Sequence, residues 1–322
     1  MRSYRWRLAR RGEGSRGWSV VWTGSWVWLL LGVVISLGSL AFAGGPAPAE
    51  AQSYSAYSDP DKAAVASILS DERNAQEFRT EFDLDDQEMA SVLAAVREEN
   101  ETLAQARAES LTQEIDVAEH NERVRQAVFE TKASIEALMD EDQVSRLKEW
   151  VDAKFAQEGR EAAESAVVGD RLSASGSRTV LCRVYATYYP TANTRYEVAL
   201  PHRALKFRAR YRKVPIRPVN GGRNVKAPVK EVGPWNTYDN YWQARTADEK
   251  KGEWRNLPRC VPEAQAAFYH NFNRGKDEDG DTVTNPAGLD LSPAVAKRMG
   301  IKNRIQRNGK IRVYVRFPWV QR

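Results

Sequence analysis

The spacing of apolar and polar positions divides the chain into stretches of different period. Residues 18–43 are apolar almost throughout, interrupted only by Gly, Ser and Thr. From Asp59 to about Ala166 there is almost no Gly or Pro, and apolar residues recur every three to four positions among Ala, Glu, Gln and Arg. That is the period and composition of amphipathic helices. Met89, Leu93, Val96 and Leu103 predict a helix over 84–108, capped by Asp83 or Asp85. Val124, Val128, Ile135 and Leu138 predict another over 115–139. Asp140 then precedes Val144, Leu147, Trp150, Val151 and Phe155, a third amphipathic start. A shorter apolar face ends at Ile68 and Leu69, with Asp59 and Pro60 placed to open its helix. Three or four such helices make an antiparallel bundle over 53–166.

Residues 167–178, rich in Gly, Asp and Ser, read as a linker. Beyond them the period falls to two. Val180, Cys182, Val184, Tyr185 and Tyr188 mark a strand over 179–189, and further strands are expected over 196–200, 205–211, 224–232 and 310–317. Asn220-Gly221-Gly222 is a turn before the fourth of these. Short helices are expected over 262–269 and over 293–300, the latter capped by Ser292 with Pro293 in its first turn. Short strands, long loops and small helices in 179–322 suggest a compact barrel or sandwich, and the chain as a whole reads as an α+β protein of several domains.

Charge separates the two halves further. Residues 53–166 carry 28 Asp and Glu against 12 Lys and Arg, whereas 167–322 carry 13 against 30. The halves therefore present opposite fields, either to different partners or to each other. The acidic half reads as a spacer, or as the surface through which an envelope protein partner docks. His120, on a polar Glu-rich stretch, reads as a surface histidine. The basic half suits an anionic polymer.

Residues 1–17 hold six arginines, and the apolar 18–43 ends in Ala41-Phe42-Ala43, with a second small-x-small site at Ala49-Glu50-Ala51. This is a secretory signal or, given the length of the apolar run, a membrane anchor followed by a linker to residue 52. Both place the remainder outside the cytoplasm. There the two cysteines, Cys182 and Cys260, are expected to pair. Two cysteines and three histidines give no basis for a zinc site. The run Lys276-Asp277-Glu278-Asp279-Gly280-Asp281 looks like a calcium loop, but Gly288 falls where the closing carboxylate belongs. It reads as a solvated turn, and no metal or other cofactor is assigned.

The candidate chemistry lies between Val229 and Trp242. Glu231 ends a strand, the chain breaks at Gly233-Pro234, and a loop follows with Trp235, Tyr238, Asp239, Asn240, Tyr241 and Trp242. Aromatic rings among amides and carboxylates either stack on sugar faces and bond their hydroxyls, or fill a small core. Trp254, Phe268 and Tyr269 add to the platform or pack beneath it.

Three segments in order carry a resemblance. His202-Arg203-Ala204-Leu205-Lys206-Phe207 comes first. Asn220-Gly221-Gly222-Arg223-Asn224-Val225 follows, leading into Val229-Lys230-Glu231-Val232-Gly233-Pro234. The third is Leu289-Asp290-Leu291-Ser292, with Ala294, Ala296 and Gly300 after it. Together they resemble the double-psi β-barrel of the rare lipoprotein A and expansin superfamily, over about 180–322 only. The resemblance implies an extracytoplasmic protein that binds cell-wall polysaccharide such as peptidoglycan. It is compatible with a lytic transglycosylase, a glycoside hydrolase or an expansin-like binder, and leaves open whether the chain is an enzyme. The basic surface suits nucleic acid equally well, but the expected export and the absence of a known nucleic-acid module argue against that partner. The resemblance places the acid on Glu231, the histidine on His202 and the second carboxylate on Asp290, with Trp235, Tyr238, Asp239, Tyr241 and Trp242 about the substrate. Two positions depart from the family: Glu231 where Asp is usual, and Lys206 where Pro is usual. The extra methylene of Glu moves the acid outward, and an error of about 1 Å can cost about 100-fold in rate.

Overall fold

The computed structural model describes residues 54–174, 179–188, 195–202, 213–243 and 257–321. The expected signal or anchor in 1–52, the strand over 205–211, Lys206 and Trp254 lie outside the described residues. Residues from Ser53 onward form one compact unit.

Among the described residues five helices come first: α1 Ala64–Leu69, α2 Glu72–Glu81, α3 Asp86–Thr112, α4 Val117–Glu136 and α5 Glu141–Ala174. Aspartates start four of them by accepting the unpaired amides of the first turn. Asp71 accepts from Arg73 and Asn74, and Asp116 accepts from Glu119. Asp85 forms a capping box with Glu88. Asp140 and Gln143 make the same reciprocal exchange, each side chain accepting the other's backbone N–H. The expected opening at Asp59 and Pro60 is corrected: they lie in a turn, where Asp59 Oδ1 accepts the Asp61 amide at 2.9 Å, and the helix begins at Ala64.

The linker over 167–178 is corrected as well. Helix α5 runs through Gly169 to Ala174. A single mid-helix glycine costs only about 1 kcal/mol relative to alanine, and no proline follows it to stop the helix.

Six strands then close a barrel: β1 Thr179–Tyr188, β2 Val198–Leu200, β3 Lys213–Pro218, β4 Val225–Val232, β5 Ala287–Leu291 and β6 Lys310–Gln321. Their order around the barrel is β1-β5-β2-β4-β3-β6. The pairs β1–β5 and β2–β4 are parallel, and the other four are antiparallel. Helix α6, Glu263–His270, lies between β4 and β5, while α7 (Pro293–Met299) and α8 (Lys302–Asn308) precede β6. The Ser292 hydroxyl accepts the Val295 amide at the start of α7.

Alternation fills the interior. Val180, Cys182, Val184 and Ala186 of β1 meet Val214, Ile216, Val229, Leu289, Leu291, Val313, Val315 and Phe317 in one core. Cys182 and Cys260 are bonded across 78 residues, tying the loop after β4 to the first strand.

The helices pack on the outer face of this barrel. Leu147, Val151 and Phe155 of α5 share a second core with Tyr185 of β1, Trp235, and Phe268 and Tyr269 of α6. The Phe155 ring lies 5.2 Å from each of Phe268 and Tyr269. Polar stitches cross the same seam. Lys310 donates to Glu158 at 2.8 Å and to Ser67. Asn121 accepts from the Thr282 amide and hydroxyl at 2.7 and 2.6 Å. His120 is corrected from surface to fully buried, its Nε2 3.4 Å from the Thr282 carbonyl. Lys62 is buried under α6, donating to the Ala267 carbonyl at 3.2 Å, and burial pulls its pKa down to about 8.

Replacing both cysteines by alanine, Cys182→Ala with Cys260→Ala, frees a long loop in the unfolded chain and should cost about 2–4 kcal/mol in a urea titration. Glu99 of α3 is buried, and burial pushes its carboxyl up to about 7. A raised carboxyl favours the fold fully below the unfolded value, and that stabilisation is lost as pH rises through about 7. Relative to the wild type, Glu99→Gln should therefore gain on the order of 3 kcal/mol between pH about 4.5 and about 8, read from denaturation midpoints.

Candidate functional site

Strand register assembles the site. Glu231 of β4 pairs with Ala199 of β2 after a bulge between Val198 and Ala199, and Ala199 pairs on its other side with Asp290 of β5. Asp290 in turn pairs with Thr187 of β1. Paired residues on adjacent strands share a face, so Glu231, Ala199, Asp290 and Thr187 form one row. Leu289 and Leu291 flank Asp290 and point into the barrel core. Asp290 therefore points outward, away from that core. Two strand spacings of about 4.8 Å put the Glu231 and Asp290 backbones about 10 Å apart, with only a methyl group between them.

The end of β4 folds against this row. The Gly233 amide donates to the Leu200 carbonyl at 3.1 Å, and Gly233–Pro234 is a cis peptide bond. Gly233 has φ +141, and a side chain built on it would lie 3.8 Å from Asp290 Oδ2 and 3.9 Å from Ala199 Cβ. Glycine is thus favoured by its backbone and keeps the notch over the carboxylate open. Asp290 Oδ1 accepts a hydrogen bond from the Thr187 hydroxyl. Burial pushes the Asp290 carboxyl up to about 6, opposed by the Thr187 hydrogen bond and by the positive charge of Arg107.

Arg107 comes from α3, in the helical half. Its guanidinium lies 4.3 Å from the Trp235 ring and donates to the Trp235 carbonyl at 3.3 Å. It also pairs with Asp281 at 2.8 Å and with Asp277 at 3.4 Å. The run 276–281, expected as a solvated turn, is therefore corrected. Asp277 and Asp281 are buried, and Asp277 Oδ1 accepts the amides of Asp279 and Asp281 at 3.0 and 2.9 Å. Burial pushes the Asp277 carboxyl up to about 6, against the pull of Arg107. No cluster of three or more metal-ligating side chains occurs among the described residues.

The aromatic loop divides into parts. Trp235, Tyr241 and Trp242 are buried and pack rather than forming an open platform. Trp235 Nε1 donates to Asn285 at 3.1 Å, and the Tyr241 hydroxyl donates to the Gly288 carbonyl at 2.9 Å. Trp242 stacks on Phe317 with ring centres 4.7 Å apart. Asp239 is also buried, and its Oδ2 accepts the Glu263 amide at 2.8 Å at the start of α6. Tyr238 remains exposed at 62% and pairs in a β-bridge with His202. The His202 ring lies 5.9 Å from that of Trp242, so it borders the loop beyond the end of β2 and not the carboxylate row.

The structure thus puts Glu231 and Asp290 in one row, pairs His202 with Tyr238 at the loop, and gives Trp235, Asp239, Tyr241 and Trp242 to the scaffold. Sequence reasoning missed Thr187, Ala199 and Arg107. For Thr187 a usable signal existed, because a hydroxyl near the end of a strand adjoining an acidic strand is a natural carboxylate partner. For Arg107 there was none.

A family model described as "Domain of unknown function (DUF8814)" matches residues 179–313. The matched stretch begins with β1, ends within β6 and excludes the helical half. No curated protein and no solved structure matches the chain.

Removing the Arg107 charge should act at two places. Arg107→Gln leaves buried Asp277 and Asp281 uncompensated, at a cost of about 3–5 kcal/mol in a urea titration. It should also move the Asp290 midpoint above about 6 in a carboxyl-carbon NMR titration. Arg107→Lys, which keeps the charge, should hold the Asp290 midpoint near that of the wild type.

Proposed function

We propose that the protein is an exported cell-envelope protein whose barrel, of the double-psi type, binds wall glycan along the Glu231–Ala199–Asp290–Thr187 row and cuts it there. The observation that carries this reading is the pair of carboxylates on either side of Ala199, one of them held protonated to about pH 6. Two parallel strand pairs within six closed strands support the double-psi assignment.

Glycosidic cleavage needs a proton for the leaving oxygen and stabilisation of positive charge on the sugar ring. Asp290 is the better acid of the two on geometry. It lies under Gly233, is bonded by Thr187, and its raised pKa keeps a proton available in mildly acidic surroundings. The proton passes to the bridging oxygen as the bond from the anomeric carbon breaks. The carboxylate so formed takes the proton of a hydroxyl on the same sugar as that oxygen closes on the anomeric carbon. The product is an anhydro-sugar, and no water is consumed. Glu231, across Ala199, faces the developing positive charge. Tyr238, exposed beside His202, offers a stacking face for a neighbouring sugar.

Incubation of isolated wall with the full chain should release anhydro-sugar products detectable by mass spectrometry, at a rate that falls as pH rises through about 6. Asp290→Asn should lower the rate by about 100-fold or more, with retention on wall pull-down intact. Wall retention without product from the wild type would leave a glycan-binding module and remove the cleavage step. Equal release by Asp290→Asn would remove Asp290 from the chemistry.

A further inference from the structure

The outer face of the barrel on the side of β1, β6 and β3 is built differently from the carboxylate row. Arg183 of β1 pairs with Tyr314 of β6, and Tyr314 pairs with Arg217 of β3, giving a row Arg183–Tyr314–Arg217 across three strands. Along β6 the same face carries Lys310, Arg312, Tyr314 and Arg316 at every second position. The sequences of β1, β3 and β6 contain no Asp or Glu. The inward positions between these cations, Val313 and Val315, belong to the core, so the strand pattern commits the charges to the outer side.

Some of these cations are neutralised by the helical layer and others are not. Lys310 is paired with Glu158 at 2.8 Å, and Arg312 with Glu161 at 2.9 Å while also donating to the Tyr185 hydroxyl. Helix α5 supplies both carboxylates. Among the described residues no ion pair joins Arg183, Arg217 or Arg316 to a carboxylate. Arg183 Nε is buried with no hydrogen-bond partner, an unmet donor of the kind a bound anion would satisfy. Its side chain lines a cleft of about 390 Å³ at the edge of the helical layer, whose wall carries Arg304, Lys310 and Arg312 and also the carboxylates Asp71, Glu158 and Glu161. Arg217 and Arg316 are exposed beyond it.

We propose that this face is a binding track for a linear polyol-phosphate polymer of the cell envelope, centred on the Arg183–Tyr314–Arg217 row. Arg183 and Arg217 stand two strand spacings apart, about 10 Å, with Tyr314 between them, and Arg316 follows Tyr314 about 7 Å along β6, so the face spaces three cations for phosphates of a flexible chain. The partner is a phosphate polymer and not a nucleic acid because the track has charge without a stacking platform. Single-stranded nucleic acid is held by aromatic faces left free for successive bases. The one ring in the row, Tyr314, is already covered by the Arg217 guanidinium at 4.6 Å. The envelope source of the polymer rests on the proposed export. The track itself rests on strand register and charge.

The test uses the full chain and a purified poly(glycerol phosphate), which has no glycosidic bond in its backbone, so cleavage at Asp290 does not enter the readout. Binding is followed by fluorescence anisotropy of the labelled polymer. Affinity should fall about tenfold between about 50 and about 150 mM salt, the dependence expected for some three phosphate contacts. Arg217→Gln, at an exposed position, should weaken binding several-fold, and Arg183→Gln with Arg217→Gln about tenfold or more. Arg146→Gln, an exposed cation on α5 that lies outside the track, should leave it unchanged. Unchanged affinity in the double variant overturns the proposal. So does an oligonucleotide of equal phosphate number that binds more tightly than the polyol phosphate. Loss of wall cleavage with polymer binding intact would count against the glycan reading alone.

Discussion

A closed barrel of six strands has no room inside for anything but its own side chains. That constraint arranges the rest of the molecule. Every second residue of each strand goes to a dry core, so all polar chemistry from the strands is expressed on the outer face. Glu231, Asp290 and Thr187 lie on one sector of that face, and Arg183, Arg217 and Arg316 on another. The helices cover the sector between, where Tyr185 is sealed under α5. The acidic and basic halves of the sequence thus meet in the structure. Their opposite fields serve in part to join them, through Lys310 with Glu158, Arg312 with Glu161 and Arg107 with Asp281.

The last of these contacts gives the helical half a part in the candidate site. A guanidinium buried against two carboxylates is held there only if the geometry is well satisfied, since each charge has lost its water. Arg107 meets that condition with two aspartates, one carbonyl and one aromatic face. It fixes the backbone just after the break at Gly233–Pro234 and places a positive charge that acts on Asp290. The helices are then more than a spacer, because the electrostatics of the row depend on one of them.

Local chemistry was legible where it was regular. The alternating strands 179–189, 224–232 and 310–317, the Asp85 cap, the Ser292–Pro293 helix start and the cysteine pair each follow from side-chain type and spacing, and each is present. Strand β3 was hidden because Pro215 and Pro218 argue against a strand, and barrel closure overrides that preference. Strand β5 was legible only through the resemblance. It is short and contains Gly288, where a side chain would come within 2.5 Å of Pro262. The carboxylate pair was visible in the sequence, but its row was not, because register across β2 and β5 joins residues about ninety positions apart. The burial of His120 was not legible, and that of Trp235, Tyr241 and Trp242 was legible only as one of two readings, because a polar neighbourhood or a loop says nothing about which distant element will cover it.

The contact between Lys310 and Ser67 has a consequence for how the chain reaches this state. These residues are 243 positions apart, and Lys62 bonds Ala267 across 205. Helix α1 is therefore completed by strand β6. Native contacts of such long separation carry a loop-closure cost that slows folding. During synthesis the helices emerge first, with the apolar face that will cover Tyr185, Phe268 and Tyr269 still without its partner. A chain built this way gains from being kept unfolded until its end is available.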